Sequence, residues 1–353
     1  KLILTLSCPS GMTTPTPTPT PPNSSTDSFY CSSYSSIYQW NRDQRTGHLT
    51  AMPTPFFTVA ASTPRSLTVH LSGQFAYLRY AHVSEILMLA RDNVTKNFSF
   101  LNPSSFATDT SSDLERKNLA MSSDGLFLYS VNGGAGTISQ MSIHQSTGQL
   151  SALSPPTIAT GNTPISMAIS PDGKSIYVGN RNDGTISQYS RDESTGLLTS
   201  LGTIASDYYT EYIAVSADGL SVYVSSSFGK SIYEYSRNPT SGLLTSIGVI
   251  DAGSTRNMAI TPDGKFLYSD DYNAPHGFIR VYSRNTTTGL LSEIGRYDIG
   301  SNIDALKISP DGWYLYVADV KTEVYQINPI TGLLSLIQQS PNVGCWEGMT
   351  FVP

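Results

Sequence analysis

The chain has 353 residues, 39% of them hydrophobic, and a formal net charge of −6 from 21 basic and 27 acidic side chains. An acidic chain with scattered Lys and Arg offers no basic stripe for a phosphate backbone, so nucleic acid is not an expected partner. No stretch keeps a helical apolar period, and beyond the first residues none is long and apolar enough to cross a bilayer as a helix.

The N-terminus reads as a targeting segment. Leu2-Ile3-Leu4-Thr5-Leu6-Ser7 is apolar and leads to Cys8, after which residues 9–27 form a Thr/Pro-rich linker with no hydrophobic pattern. Residues 1–8 resemble the end of a bacterial lipoprotein signal, with Cys8 as the lipidation site. The Pro-Thr run would be extended and stiff, a spacer that holds a folded body off a membrane. The expected location is therefore extracytoplasmic, in the periplasm or on the outer surface, with a lipid anchor as the only membrane contact.

From residue 28 to 353 the chain repeats. Tyr30, Tyr77, Tyr129, Tyr177, Tyr223, Tyr268 and Tyr316 recur at intervals of 45 to 52 residues, each inside a short apolar run such as Ser175-Ile176-Tyr177-Val178. Six of the seven units carry a turn glycine later on, at Gly47, Gly148, Gly196, Gly242, Gly289 and Gly332; the second unit lacks it. Each unit reads as four short strands, A to D, and a period of this size predicts an all-β, seven-bladed propeller of four-stranded antiparallel blades. Asp124, Asp172, Asp218, Asp263 and Asp311 each precede a Gly and are read as formers of the A-to-B turn, not as metal ligands.

The first tyrosine strand arrives with no A strand before it, while residues 347–353 align with residues 165–171. The C-terminal strand is thus expected to complete blade one and close the ring. That register sets Cys31 opposite Met349, four residues from Cys345, and four extended residues span about 13 Å. The expectation is two unpaired thiols, unless the D-to-A loop folds back within disulfide reach.

Propeller sites lie where the D-to-A and B-to-C loops meet around the channel. Aligning the seven A strands places Arg65, Lys117, Ile165, Glu211, Arg256, Asp304 and Glu347 at equivalent points of the mouth. Six charges at one position stand out in a chain with 14% charged residues. They read either as inter-blade salt bridges or as a polar site for a small anionic or hydroxylated ligand, to which Asn180 and His82 of the B-to-C loops add. Tyr208, Tyr209, Tyr212, Tyr272, Phe228 and Trp346 cluster in the same loops, either as a plug over the mouth or as a contact surface for another protein.

The run from Ile169 to Tyr189, ISPDGKSIYVGNRNDGTISQY, resembles the most recognisable blade of the seven-bladed lactonase family, which includes propeller-type 6-phosphogluconolactonases and carboxymuconate cyclases, and overlaps the YVTN-repeat propellers. Asn180 and Arg181 match that family's Asn-Arg pair, whereas Asn182 and Asp183 stand where Gly and His are usual. The resemblance implies the propeller fold over residues 29–353 and, as chemistry, lactone hydrolysis or muconate-type cyclisation. Such chemistry needs an activated water and a group that stabilises the carbonyl oxyanion. Glu211 as base with Arg181 and Arg256 as anion holders is the constellation on offer. No cofactor or metal is expected. The departures favour a ligand- or protein-binding module, with lactone hydrolase as the alternative and a surface assembly protein as a third reading.

Overall fold

Each repeat folds into four antiparallel strands, and seven such sheets make up the all-β propeller. The computed structural model describes residues 25–352 except 34, 60–63, 81–82, 110–118, 274–275, 320 and 341–347. The signal-like segment with Cys8 and most of the Thr/Pro-rich linker lie outside the described residues, as do His82, Lys117, Cys345, Trp346 and Glu347.

Blade four shows the plan. Its strands A (Pro164–Ile169), B (Ser175–Asn180), C (Thr185–Arg191) and D (Leu198–Ala205) are hydrogen-bonded in sequence order. Strand B is buried along its whole length, whereas D exposes most of its residues, so burial falls from the axis outward. This is why the B strands read as continuous apolar runs while the D strands are polar on one side. The apolar core is divided into seven clusters, each shared by two adjacent blades, as where Tyr129 and Val131 of blade three pack with Met167, Ile176 and Val178 of blade four. Full burial of a residue such as Ile176 contributes about 1.5–3 kcal/mol, so each blade depends on its neighbours for most of its stability.

The ring closes as the sequence predicts. Strand Thr350–Val352 pairs with Thr26–Ser33 in the register Ser28 to Val352, Phe29 to Phe351 and Tyr30 to Thr350. Cys31 is disulfide-bonded, which corrects the expectation of free thiols. The argument from strand length assumed extended chain ahead of Met349. The closing strand begins only at Thr350, and Gly348 and Met349 lie outside it.

The repeated tyrosine has a role that its periodicity alone does not reveal. Its hydroxyl donates to a turn carbonyl of the following blade, at Gly148, Gly196, Gly242, Gly289, Gly332 and Gly47 for Tyr77, Tyr129, Tyr177, Tyr223, Tyr268 and Tyr316, over 2.5–2.9 Å. In the second blade, which lacks the turn glycine, Lys96 takes the left-handed conformation with φ of 65°, and Tyr30 bonds to its carbonyl at 3.1 Å. The turn aspartates act as expected and also bind the next blade: Asp124, Asp172 and Asp218 accept from Arg191, Arg237 and Arg284 at 2.7–2.8 Å.

Candidate active site

Three adjacent blades build the mouth of the channel on one side. Glu211 stands at the start of strand A of blade five (Thr210–Val215) and is 5% exposed. Its Oε1 accepts from the Ser227 hydroxyl at 2.8 Å and from Arg181 Nε at 3.5 Å. Arg181, in the B-to-C loop of blade four, lays its guanidinium over the Tyr209 ring at 4.2 Å, and Tyr209 stacks on Phe228 with centroids 5.7 Å apart. The carboxylate is thus fixed by a hydroxyl of its own blade and a cation of the preceding one. The planar cation is fixed in turn by an aromatic face.

Arg256 belongs to the next blade of the arc. Asp270, 1% exposed, accepts the backbone N–H groups of Arg256 and Asn257 at 2.7 Å each and the Asn257 amide at 3.1 Å, which sets the chain at Arg256. The Arg256 guanidinium lies 3.9 Å from the Tyr272 centroid. The Ser254 hydroxyl reaches the Ser227 carbonyl at 3.4 Å, and the Ser254 carbonyl accepts from Tyr272 N–H at 3.0 Å. Arg181, Glu211 and Arg256 therefore sit on one continuous arc over blades four, five and six, with an Arg181–Glu211 contact and Arg256 stacked one blade on.

Below the mouth the A strands enclose two cavities of about 210 Å³ each. The upper is lined by Ser66, Thr68, Asn257 and Thr350, the lower by Ala214, Met258 and Ile308, and Tyr212 and Lys307 line both. Burial pushes the Tyr212 phenol above its ordinary range against the opposing pull of the Lys307 ammonium, so the phenol stays protonated and can donate a hydrogen bond. Tyr212 belongs to the channel wall, which corrects its placement among surface aromatics. Side chains alternate along a strand, and Tyr212 falls in the same file as Ser66 and Asn257, two residues that also line the channel.

Asn180 is a second correction. It is fully buried: its Oδ1 accepts from Thr160 and Gly161 at 3.0 and 3.1 Å, and its Nδ2 donates to Thr185 and Ser187 at 3.0 and 2.8 Å. Its side chain closes the blade top instead of facing a ligand, and Asn132 donates in the same way to Thr137 and Ser139. Asp271 is likewise internal, held by Arg280 and Arg296 at 2.9 Å. Asp304 lies just before strand A of blade seven (Ala305–Ile308), its N–H bonded to the Ala318 carbonyl at 2.8 Å. The Arg65 backbone lies in strand A of blade two (Pro64–Val69), with its side chain outside the described residues. Tyr208 and Phe228 are exposed by 58% and 69%, so the mouth carries an open aromatic rim. Among the described residues no cluster of His, Cys, Asp and Glu has the geometry of a metal site.

A family model described as "Lactonase, 7-bladed beta-propeller" matches residues 34–211 and 205–305. The chain belongs to the seven-bladed lactonase family. Solved structures agree on the fold. A 6-phosphogluconolactonase candidate from Bacteroides uniformis is 21% identical, covering 93% of this chain and 99% of its own with a TM-score of 0.77. A second such candidate, from Bacteroides fragilis, is 18% identical over 93% and 98% with a TM-score of 0.77. A periplasmic gluconolactonase from Pseudomonas aeruginosa is 16% identical over 93% and 99% with a TM-score of 0.74. No curated protein matches the chain.

Proposed function

We propose that this lactonase-family propeller hydrolyses a lactone bearing an anionic or hydroxylated substituent, at the channel mouth over blades four to six. The observation that carries this reading is the Glu211 side chain held by Arg181 and Ser227, with Arg256 on the next blade of the same arc. Glu211 takes a proton from water as the water oxygen adds to the lactone carbonyl carbon. Arg181 or Arg256 stabilises the oxyanion that forms, and the same proton passes to the ring oxygen as the ring C–O bond breaks, leaving a hydroxy acid. The other arginine holds the substrate's anionic group. Family membership and the gluconolactonase named among the similar structures support this reading over a purely binding role.

The exposed Tyr208 and the stacked pair Tyr209–Phe228 favour a second reading, in which the rim binds a ligand or another protein without turnover. The disulfide at Cys31 supports an extracytoplasmic location, because such bonds persist in oxidising compartments. The lipid anchor at Cys8 is part of the same proposal. The test is hydrolysis of a panel of sugar-acid and simple lactones by wild type, Glu211→Gln and Arg256→Ala. Turnover lost by about a hundredfold or more in Glu211→Gln supports the assignment. Absence of turnover in wild type sinks the hydrolase reading and leaves the binding rim.

A further inference from the structure

Four blade junctions share one arginine seat on the face opposite the channel mouth. The last residue of strand C in blades two, four, five and six is Arg91, Arg191, Arg237 or Arg284, each 4–5% exposed. In every case Nε donates to the repeated tyrosine of the preceding blade, at 2.6–3.0 Å. Nη1 donates to the A-to-B turn glycine of its own blade, at 3.1–3.2 Å. The seat of Arg191 adds the Asp124 carboxylate at 2.7 Å and the Phe127 ring at 5.0 Å.

At the junction of blades seven and one Arg42 likewise reaches the turn Asp311, at 2.8 Å, but gives its Nε to Asp27, and at the remaining two junctions an isoleucine stands where the arginine belongs. Beside Ile143 the seat is filled from within: the Gly125 carbonyl meets His70 Nε2 at 3.0 Å and accepts from Gln145 Nε2 at 3.0 Å. Beside Ile327, between blades six and seven, there is a cavity of about 370 Å³, lined by Asp263, Phe266, Gly312, Trp313, Ile327 and Pro329 among others. Asp263, Phe266 and Gly312 are the counterparts of Asp124, Phe127 and Gly173, three of the groups that hold Arg191. Tyr268 still donates to the Gly332 carbonyl, as Tyr129 does to Gly196.

We propose that this cavity binds an alkylguanidinium cation, the group an arginine side chain carries, in the place internal arginines take at four other junctions. A carboxylate, a turn carbonyl and two aromatic rings converge there, a set that suits a flat delocalised cation better than a compact ammonium. Asp263 also pairs with Lys265 at 3.1 Å, with the two side chains 43% and 58% exposed, so the ligand displaces only a solvent-screened partner.

Calorimetry and Trp313 fluorescence with ethylguanidinium and with the tripeptide Gly-Arg-Gly test this, with n-butylammonium as the control. Saturable binding of the guanidinium probes, weakened about tenfold or more for butylammonium and in Asp263→Asn, is expected. Ile327→Arg should supply the cation internally, abolish binding and raise the melting temperature. Tighter binding of the tripeptide assigns the site to an arginine of a partner chain, and equal binding assigns it to a free small molecule. Absence of saturable binding, equal binding of butylammonium, or undiminished binding in a folded Ile327→Arg variant overturns the proposal. Should that variant fail to fold, Asp263→Asn and the ammonium control still decide.

Discussion

Arg237 of blade five meets Asp172 of blade four at 2.8 Å, and the two side chains differ in setting: the cation is 1% exposed, the carboxylate 34%. The same guanidinium also donates to Tyr177 at 3.0 Å and to the Gly219 carbonyl at 3.1 Å. Removing the cation leaves the buried Tyr177 hydroxyl and Gly219 carbonyl without their donor, whereas Asp172→Asn keeps an oxygen facing the buried guanidinium, which also donates to Tyr177, Gly219 and Ser175. Arg237→Leu should therefore cost about 2–4 kcal/mol and Asp172→Asn about 1 kcal/mol or less. Denaturant melts of the two variants check the order, and equal losses would show that the pair acts only through its charge.

The turn aspartates also set an acid limit. Burial would raise Asp172, but hydrogen bonds from Ser170, the Lys174 N–H and Arg237 outweigh it and hold the carboxyl below its ordinary 3.8. Asp124 and Asp218 are lowered by equivalent partners. A carboxyl whose folded value lies below its unfolded one stabilises the fold fully above about pH 4, and that stabilisation is lost as pH falls from 3.8 through the lowered value. Asp172→Asn should therefore flatten the fall of melting temperature below pH 4. An unchanged slope would remove the aspartate from the acid response.

Lys96 occupies a glycine's place with φ of 65°, a conformation that strains any residue with a Cβ. Its N–H bonds to the Asp92 carbonyl at 2.9 Å just as Gly196 bonds to Asp192 at 2.8 Å, so the turn is the same one. Lys96→Gly should stabilise the protein by about 0.5–1 kcal/mol, the relieved strain less the entropy glycine loses on folding. A lower denaturation midpoint would mean that the lysine side chain stabilises blade two by more than its backbone costs.

At the mouth, Arg181→Lys keeps the charge beside Glu211 but loses the flat face on Tyr209. If Arg181 works by orientation, kcat/KM on the best lactone of the panel should drop about tenfold or more. Retention of full activity by the lysine variant would show that charge alone suffices.

Much of this was written in the sequence at short range. The tyrosine period, the Asp-Gly turns and the alignment of the chain's two ends predict blades, hairpins and closure, because strand and turn chemistry depends on neighbouring residues. The arginine seats were not legible, because Arg237 and Asp172 stand 65 positions apart and only the ring brings them together. The site was legible in part. Glu211 and Arg181 are in contact, but Asn180 was misplaced because a loop asparagine reads the same whether it faces a ligand or bonds inward. The Cys31 bond was missed because an extended path was assumed for residues that precede a very short strand.

That bond leads to a further test. Peptide mapping without reductant should find Cys31 linked to Cys345, and deletion of residues 346–353 should abolish the cooperative melt by leaving the strand of Tyr30 with an open edge. Linkage to Cys8, or an unchanged melt after truncation, would refute this account of the seam.

The pairing of Ser28 with Val352 sets residues from opposite ends of the fold side by side on neighbouring strands. The seam is thus one more hairpin that happens to lack its turn. A short linker joining the two ends, with the backbone opened instead at the exposed Glu193-Ser194 turn, would give a circular permutant that keeps all seven sheets and moves the entry point of the chain to another blade. The order in which the blades are written is then a property of the chain, while the ring itself has no first blade.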